Sequence, residues 1–209
     1  MHVFRTLPEA TSEAVALTIG NFDGVHLGHQ AMLARLTTAA RELRVPACVM
    51  TFEPHPRELF APDQAPTRLT SLREKLELLE RFGVERTYVR RFDFEFAKTA
   101  PEDFIDRILH RGLGARWILV GDDFRFGARR GGDLALLKHA ASPCNFELQA
   151  MTSVRADGER VSSTAGREAV HAGKLQRAQR LLGRRDWISG RWVRCGQFGR
   201  PLGLPAASV

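Results

Sequence analysis

Two histidines, His26 and His29, lie where an apolar run gives way to a helix-forming run, and Gly28 stands between them. The apolar run ends at Gly20, and the helix-forming run continues to Leu43. A strand that ends in small residues and leads into a helix start presents backbone N–H groups that bind anions. The imidazoles add side-chain donors at the same point. This spacing predicts a polyphosphate site at which charge shifts during a reaction.

Glycines at three positions of this segment support the same prediction. Gly20, Gly24 and Gly28 carry no side chain, so phosphate oxygens are expected to approach the main chain closely. The alternative is a common strand–glycine–helix junction in which a histidine only caps the helix or packs. The His-x-Gly-His spacing favours a ligand, because the intervening glycine would let both imidazoles face it.

The elements that position this site follow from alternating apolar and amphipathic runs. Strands are expected over 14–19, 47–52, 87–90, 117–120 and 146–151, and helices over 29–43, 71–82, 101–109, 133–141, 164–172 and 174–182. A proline-rich loop follows the second strand, and Asp157-Gly158 indicates a tight turn. Repeated β-then-α units predict an α/β fold with a parallel sheet, whose ligands bind at the carboxyl ends of the strands.

Composition limits the classes of protein that fit. The chain has 209 residues, 44% hydrophobic and 26% charged, as in a globular protein of one α/β domain with a tail. No apolar stretch reaches the length of a membrane span, and the N-terminus lacks a signal-peptide core. Three scattered cysteines favour reduced thiols in the cytoplasm over a zinc site, and Cys48 is expected in the core. The net charge of +7 is dispersed, so nucleic acid is not the expected partner.

Three further motifs fall at the ends of predicted strands or at a helix start. After the second strand comes Phe52-Glu53-Pro54-His55-Pro56, in which the prolines fix the backbone around His55, either as a plain rigid turn or to hold the ring outward. After the fourth predicted strand, Phe124 and Phe126 flank Arg125 between glycines, which suits a planar aromatic ligand.

The third of these motifs, Ser162-Ser163-Thr164-Ala165-Gly166-Arg167, opens a predicted helix. Ser163 or Thr164 is expected to be the N-cap, and Arg167 to lie on the first turn beside a bound anion. A plain capped helix is the alternative for this segment taken alone.

Together these motifs resemble the FAD synthetase module of bacterial riboflavin-biosynthesis enzymes, in the HxGH nucleotidyltransferase superfamily. The segment Gly-Asn-Phe-Asp-Gly-Val-His-x-Gly-His is similar to the family signature, and the Pro-His-Pro, Asp-Phe-Arg-Phe-Gly and Ser-Ser-Thr-x-x-Arg segments follow in the family's order over residues 14–183. One departure is Gly166, which replaces a branched apolar residue. It weakens the helix by about 1 kcal/mol and puts the packing behind Arg167 in question.

The resemblance implies a Rossmann-like parallel sheet with helices on both faces, and an FMN adenylyltransferase that makes FAD and pyrophosphate from ATP and FMN. Mg²⁺ is expected to bind through the phosphates, with no metal-ligand residues assigned. The implied catalytic residues are His26, His29 and Arg167. The implied ATP contacts are Gly20, Asn21, Phe22, Asp23, Gly24, His26, His29, Gly121, Asp122, Asp123, Arg125, Ser162, Ser163, Thr164 and Arg167, and the implied FMN contacts are Phe52, Pro54, His55, Phe60, Phe124 and Phe126.

Other functions stay open at this point. A nucleotidyltransferase of the same superfamily could use another phosphate acceptor, such as a pantetheine or glycerol phosphate, although the phenylalanines favour a flavin. A non-catalytic regulator would bind ATP or FMN without releasing pyrophosphate. A basic nucleic-acid binder would lose affinity steeply with salt.

The C-terminal tail resembles the opening of a riboflavin kinase β-barrel. We expect residues 1–185 to form the adenylyltransferase domain and residues 186–209 to be an incomplete start of that module. Leu204, Ala206 and Ser208 replace the family's Phe, Thr and Asn. The riboflavin kinase step is therefore expected to be absent.

Overall fold

The computed structural model describes residues 1–185, and its centre is a six-stranded sheet in which all neighbouring strands are parallel. The spatial order of the strands is β1-β4-β3-β2-β5-β6. Their bounds are β1 (His2–Phe4), β2 (Val15–Ile19), β3 (Ala47–Glu53), β4 (Arg86–Arg91), β5 (Ala115–Gly121) and β6 (Glu147–Met151). The chain order reverses around β2, so the ends of β2 and β5 form the switch point where ligands of such sheets bind.

Helices connect the strands, and a small hairpin precedes the last two helices. The helices are α1 (Leu27–Leu43), α2 (Pro56–Phe60), α3 (Leu72–Arg81), α4 (Phe94–Ala97), α5 (Pro101–Asp103), α6 (Leu134–Ala141), α7 (Ser163–His171) and α8 (Leu175–Leu182). Helix α5 continues as a wider π-type helix over Phe104–Gly112, and 3₁₀ turns occupy Asp23–Val25, Pro62–Gln64 and Ala128–Arg130. The antiparallel hairpin pairs β7 (Arg155–Ala156) with β8 (Glu159–Arg160).

The sheet is covered on both faces, as its hydrophobic clusters show. All five residues of β2 are buried, which is typical of a parallel strand packed on both sides. On one face Leu17 and Ile118 pack with Leu109 and Leu137 of the helices there. On the other face, residues of α1 and α3 such as Leu33 contribute to the cluster. A third, smaller cluster joins the hairpin region to α7 and α8. The expected α/β fold is confirmed.

The expected strands are confirmed, and β1, α2 and α4 are among the elements that were not expected. Strand β1 is three exposed residues long, so it carries no apolar run for a sequence reading to detect, and β5 becomes the fifth strand rather than the fourth. The expected proline-rich loop contains α2. Its start is a capping box, in which the His55 ring accepts from Arg57 N and the Glu58 carboxylate accepts from His55 N. Pro56 fits the first turn because its missing N–H has no partner there.

Cys48 is wholly buried in β3, as expected for a core thiol, and burial raises its pKa to about 12. Within residues 1–185, no helix combines the length and the hydropathy needed to cross a bilayer. The kinase-like tail expected over residues 186–209 lies outside the described residues.

Candidate active site

A cavity of about 900 Å³ opens at the carboxyl edge of the sheet, above the switch point. It has two chemically different ends. The polar end is lined by Gly20, Asn21, Asp23, Ser163, Thr164 and Arg167, and the aromatic end by Phe52, Phe60, Phe92, Phe96, Phe124 and Phe126. The polar end combines the turn after β2 with the start of α7, and the aromatic end combines the segments that follow β3, β4 and β5. Four strands therefore contribute to one cleft.

Asp23 is the centre of the hydrogen bonding at the polar end. Its side chain is 6% exposed, and its carboxylate accepts from the backbone N–H of Leu69 and of Thr70 at 3.0–3.1 Å. The Thr70 hydroxyl donates to the same carboxylate at 3.3 Å and accepts from Gly24 N. These bonds fasten the segment before α3 to the turn after β2. The Asp23 oxygens are thus occupied by protein donors, while Asp23 also lines the cavity, and its predicted contact with ATP stays a prediction.

Arg167 reaches this turn from α7. Its Nη2 donates to Asp23 Oδ2 at 2.8 Å, and its Nε donates to the carbonyl oxygen of Thr67 at 2.8 Å. The side chain is 17% exposed and lines the cavity. The sequence motifs around positions 23 and 167, 144 residues apart, thus meet at one end of the cleft.

His26 and His29 stack on each other beside the turn. Their ring centroids are 3.7 Å apart at an interplanar angle of 13°, and the Phe22 ring lies 4.8 Å from His29. His26 is the N-cap of α1, and its Nδ1 accepts from His29 N at 3.2 Å. Within residues 1–185 the two imidazoles are not among the side chains that line the cavity. The capping alternative is thus realised for His26, and the catalytic role of both rings stays a prediction.

Both imidazoles are neutral at physiological pH. Burial lowers the pKa of His26 to about 4, with Arg167 and Arg184 lowering it further and Asp23 opposing them. Burial also lowers the pKa of His29 well below its ordinary value, and His26 and Lys75 add to that effect. Because Nδ1 of neutral His26 is the acceptor in the cap, its proton resides on Nε2. Nε2–H is therefore a hydrogen-bond donor without a net charge.

The glycines of the turn leave room for the protein's own side chains, and Gly20 also lines the cavity. The expected approach of phosphate to the main chain there stays a prediction. A Cβ at Gly24 would lie 2.8 Å from Leu69 Cδ1, and the backbone there has φ +77°. A Cβ at Gly28 would lie 3.1 Å from the His26 ring, and one at Gly20 would lie 3.2 Å from the Phe22 ring. The small residues are needed for packing behind the turn, whatever binds in front of it.

The start of α7 differs from expectation by one residue. Ser162 is the N-cap and accepts from Ala165 N at 3.1 Å, whereas Ser163 donates to the carbonyl oxygen of Asp23 at 3.0 Å. Gly166 is buried, and a Cβ there would lie 3.2 Å from Leu69 Cδ1. The packing behind Arg167 is therefore tight, and Gly166 is what allows Leu69 to approach.

Asn21 and His29 near the turn each have a buried polar atom that lacks a hydrogen-bond partner within the described part of the chain. Asn21 lines the cavity, and its Oδ1 is buried without a hydrogen bond. The same holds for His29 Nδ1. Lys75 on α3 is 6% exposed, and burial lowers its pKa, with Asp23 and Glu53 opposing that shift. Orphaned buried polar atoms are costly, so they mark a place where a ligand or water would supply the missing bonds.

The aromatic end is a continuous set of ring contacts. Phe92 packs edge-on against Phe52 at 5.7 Å, Phe60 at 5.8 Å and Phe96 at 5.7 Å between centroids. Phe124 stacks on Phe126 at 5.6 Å. Edge and offset-stacked packing of this kind suits the quadrupoles of the rings. Phe60 stays 60% exposed, which leaves an aromatic surface open to a ligand.

The loop after β5 holds Phe126 against the core by close contact with a glycine. Phe126 and Gly132 exchange two backbone hydrogen bonds at 2.9 and 3.1 Å. A Cβ at Gly132 would lie 2.5 Å from the Phe126 ring, so only glycine fits there. Arg125 pairs with Asp133 at 3.1 Å across the same loop. The sequence motif therefore encodes one closed loop that presents its aromatic residues to the cleft.

The segment after β3 is held by an ion-pair cluster. Arg68 Nη2 donates to Glu53 at 2.7 Å and to Glu58 at 2.6 Å, which lowers the pKa of Glu58. His55 lines the cavity and is half-buried, and burial lowers its pKa, with Arg167 adding to the effect. One nitrogen of the His55 ring thus caps α2, and the ring also lines the cleft.

The predicted site residues fall into two groups, those that line the cavity and those that do not. Those that line the cavity are Gly20, Asn21, Asp23, Phe52, His55, Phe60, Asp123, Phe124, Arg125, Phe126, Ser163, Thr164 and Arg167. Those within residues 1–185 that do not line it are Phe22, Gly24, His26, His29, Pro54, Gly121, Asp122 and Ser162. Phe22 in particular is wholly buried in the core.

Sequence reasoning missed several lining residues. Phe92 and Phe96 follow β4 in the run Phe92-Asp93-Phe94-Glu95-Phe96, and their position after a parallel strand was an available signal. Arg57 and Arg129 add positive charge to the wall of the cavity. Arg129 stands in the left-handed region at φ 52°, which no sequence pattern indicated.

A parallel sheet with a basic, glycine-bounded cleft at its switch point, continuous with an aromatic wall, defines a nucleotide-binding α/β domain. The family model of FAD synthetase matches residues 8–165. The chain belongs to the FAD synthetase family. A solved structure of a macrolide-efflux protein from Streptococcus pneumoniae shares the fold, with a TM-score of 0.78 and 27% identity over 88% of this chain and 62% of that one.

Curated relatives carry the name bifunctional riboflavin kinase/FMN adenylyltransferase. The relative from Escherichia coli K12 is 46% identical over 205 residues, covering 98% of this chain and 66% of its own length. The relative from Haemophilus influenzae is 41% identical over 211 residues, covering 100% of this chain and 68% of its own length. The relative from Pseudomonas fluorescens is 47% identical over 192 residues, covering 92% and 61%. The chain thus spans about two thirds of these relatives.

Proposed function

We propose that this FAD synthetase domain transfers the adenylyl group of ATP to FMN. An oxygen of the FMN phosphate attacks the α-phosphorus of ATP, the bond from that phosphorus to the β-phosphate oxygen breaks, and FAD and pyrophosphate are the products. The observation that carries the proposal is the continuity of the polar and aromatic ends in one cavity of about 900 Å³. A triphosphate and a flavin can then be held with their phosphates adjacent. Such alignment lowers the barrier to transfer, because the translational and rotational entropy of the reactants is lost on binding and not in the reaction step.

The polar end supplies donors for the phosphates. The side chains of Thr164 and Arg167 line it together with Ser163, whose hydroxyl already donates to the Asp23 carbonyl oxygen, and Arg167 carries a full positive charge. We assign the leaving pyrophosphate to this group. Such donors are already fixed by the fold, so they stabilise the developing charge without reorganising during the reaction.

His26 contributes as a neutral donor in this proposal. Its Nδ1 is held by the cap of α1, so Nε2–H is free to donate to a phosphate oxygen. His29 stacks on the ring and fixes its plane. Bound phosphate would raise the pKa of His26 from about 4, because a nearby negative charge favours the imidazolium form.

Mg²⁺ fits this site through the phosphates rather than through a protein cage. No group of three or more His, Cys, Asp or Glu side chains within the described ranges could hold a metal ion. The Asp23 carboxylate is occupied, whereas Asn21 lines the cavity and its buried Oδ1 has no partner among the described residues, so it would accept from the hydration shell of the ion. When bound, Mg²⁺ would neutralise phosphate charge, and it commonly keeps several waters.

Flavin as the acceptor is favoured by the aromatic end. Burial of a planar ring against Phe60 and Phe124 removes apolar surface from water, and each stacked pair adds about 0.5–1.5 kcal/mol of binding free energy. A cytoplasmic location, and residues 1–185 as the unit that carries the activity, stay predictions.

The test is to incubate the purified chain with ATP, MgCl₂ and one acceptor at a time, and to resolve the products by chromatography. The acceptors are FMN, riboflavin, phosphopantetheine and glycerol phosphate. We expect FAD and pyrophosphate with FMN alone. Adenylylation of another acceptor in place of FMN would overturn the flavin assignment, and binding of ATP and FMN without pyrophosphate release would make the domain a regulator.

A further inference from the structure

We propose that Asp23 is a positioning residue, which sets the orientation of the Arg167 guanidinium toward the phosphates. The inference rests on the proposed function for the identity of ATP as the ligand. It differs from the sequence-based expectation that Asp23 itself contacts the nucleotide.

The first step is the way in which Arg167 is held. Nε and Nη2 form one edge of the planar guanidinium, and that edge is occupied by the Thr67 carbonyl and the Asp23 carboxylate, both at 2.8 Å. Side-on binding of this kind leaves the opposite edge, with Nη1, to other acceptors. Because Arg167 also lines the cavity, the unoccupied edge is the one available to a bound anion.

The second step is that Asp23 is itself immobile. Two backbone N–H groups and one hydroxyl donate to its carboxylate, and the Ser163 hydroxyl donates to its carbonyl oxygen at 3.0 Å. The turn after β2, the segment before α3 and the start of α7 are therefore joined through this residue. A rigid partner with several bonds fixes a long arginine side chain better than a mobile surface carboxylate would.

The third step concerns the negative charge of the Asp23 carboxylate, which lies beside the proposed phosphate site. By Coulomb's law a carboxylate close to a triphosphate repels it, and weak screening in a buried site makes the repulsion larger. The Asp23 side chain is only 6% exposed, so water screens this repulsion weakly. The pairing with Arg167 offsets the charge and places a donor where the anion binds.

The experiment is a double-mutant cycle on Asp23→Asn and Arg167→Met, with the affinities for inorganic pyrophosphate and for ATP measured by calorimetry. We expect Arg167→Met to weaken pyrophosphate binding about 100-fold, as removal of a charged donor does. Asp23→Asn is expected to weaken it about tenfold when Arg167 is present and less than twofold when residue 167 is Met. Such non-additivity shows that Asp23 acts through Arg167.

The opposite sign would overturn the proposal. If Asp23 were only a nearby charge, Asp23→Asn would tighten pyrophosphate binding by removing repulsion. An equal loss in both backgrounds would show that Asp23 acts independently of Arg167. Because binding is measured without FMN, failure of this proposal is distinguishable from failure of FAD formation.

A matched control uses an exposed ion pair. Asp106 and Arg111 lie 2.6 Å apart with side chains 53% and 50% exposed, and neither lines the cavity. The cycle of Asp106→Asn and Arg111→Met should leave pyrophosphate and ATP affinities within twofold of the original protein. Circular dichroism on every variant checks that the fold is kept.

A second variant keeps the proposal testable if Asp23→Asn does not fold. Arg167→Lys retains the positive charge and lacks the planar fork that bonds Asp23 and the Thr67 carbonyl together. We expect pyrophosphate binding to fall at least tenfold and kcat for FAD formation to fall more than KM for FMN rises. Wild-type affinity in Arg167→Lys would mean that charge alone suffices, which contradicts positioning.

Discussion

Different interactions hold the side chains in place at the polar end and at the aromatic end of the cavity. At the polar end, charged and polar groups are fixed by hydrogen bonds that link distant segments, as Asp23 links Leu69, Thr70 and Arg167. At the aromatic end, rings are fixed by packing, as Phe126 is by Gly132. The polar end therefore depends on single bonds with direction, whereas the aromatic end depends on shape and area. Substitutions at the two ends should separate ATP-linked from FMN-linked effects.

The largest effect is expected for His26→Ala. Loss of the Nε2–H donor should lower kcat about 100- to 1,000-fold, which is the usual cost of removing one donor to developing charge. The KM for FMN should stay within about threefold, because the ring is remote from the aromatic end. Rates of FAD formation measure this, and exposed His139→Ala serves as the control. An unchanged kcat would remove His26 from the proposed mechanism.

The next effect in size is expected for Phe124→Ala at the aromatic end. Loss of stacking and of buried apolar area should raise the KM for FMN about tenfold, with the KM for ATP unchanged. Steady-state rates with each substrate varied in turn provide the test. Phe4→Ala is the matched control, because Phe4 stacks on Tyr88 at the far strand β1. A rise in the KM for ATP instead would reverse the assignment of the two ends.

A pair of glycine substitutions sharpens the comparison further. Gly24→Ala adds a Cβ 2.8 Å from Leu69 Cδ1, and Gly132→Ala adds one 2.5 Å from the Phe126 ring. Each should lower the free energy of unfolding by about 1–3 kcal/mol through overpacking. Gly24→Ala should then weaken ATP binding and Gly132→Ala should weaken FMN binding.

Gly158→Ala is the control for Gly24→Ala, because both glycines have a positive φ. Gly158 has φ +81° and no neighbour within 4 Å, so it reports the conformational cost of a Cβ without a clash. Chemical denaturation gives the free energy of unfolding for all three variants. Equal losses in Gly24→Ala and Gly158→Ala would mean that crowding contributes nothing at Gly24.

The smallest effect concerns pH. The pKa of His26 in the folded protein is about 4, below its ordinary value of 6.5, so the unfolded chain binds the proton more readily. The stability that this group contributes is complete above about pH 6.5 and is lost as the pH falls toward 4, by at most about 1.4 kcal/mol per pH unit. The free energy of unfolding at pH 7, 5.5 and 4.5 measures it. His26→Gln should flatten this dependence, and a slope that is identical in that variant would assign it to other groups.

The sequence predicted the strands and helices around the site more completely than the side-chain contacts within it. Apolar runs and helix caps placed β2 to β6, because parallel strands are buried on both faces and leave a clear pattern. The exposed β1 left none. The motif at 20–29 was expected to present glycines and imidazoles to a ligand. Gly20 lines the cavity, whereas a Cβ at Gly24 or Gly28 would crowd Leu69 or His26. The spacing of residues along the chain indicates that a turn is crowded, but it does not indicate which side of the turn is crowded.

The long-range partners were beyond the reach of the sequence. Nothing in the neighbourhood of Asp23 indicates that its carboxylate accepts from residues 46 and 144 positions away. Tertiary structure alone decides these pairings.

The most direct test of the two-ended cavity is a pair of titrations on the same variants. The affinities of ATP and of FMN would be measured separately for Arg167→Met and for Phe124→Ala, by calorimetry and by flavin fluorescence. We expect a crossed result, in which Arg167→Met loses ATP affinity and keeps FMN affinity, and Phe124→Ala does the reverse. If each variant weakened both ligands to the same extent, the division of the cavity into a phosphate-binding and a flavin-binding end would be contradicted.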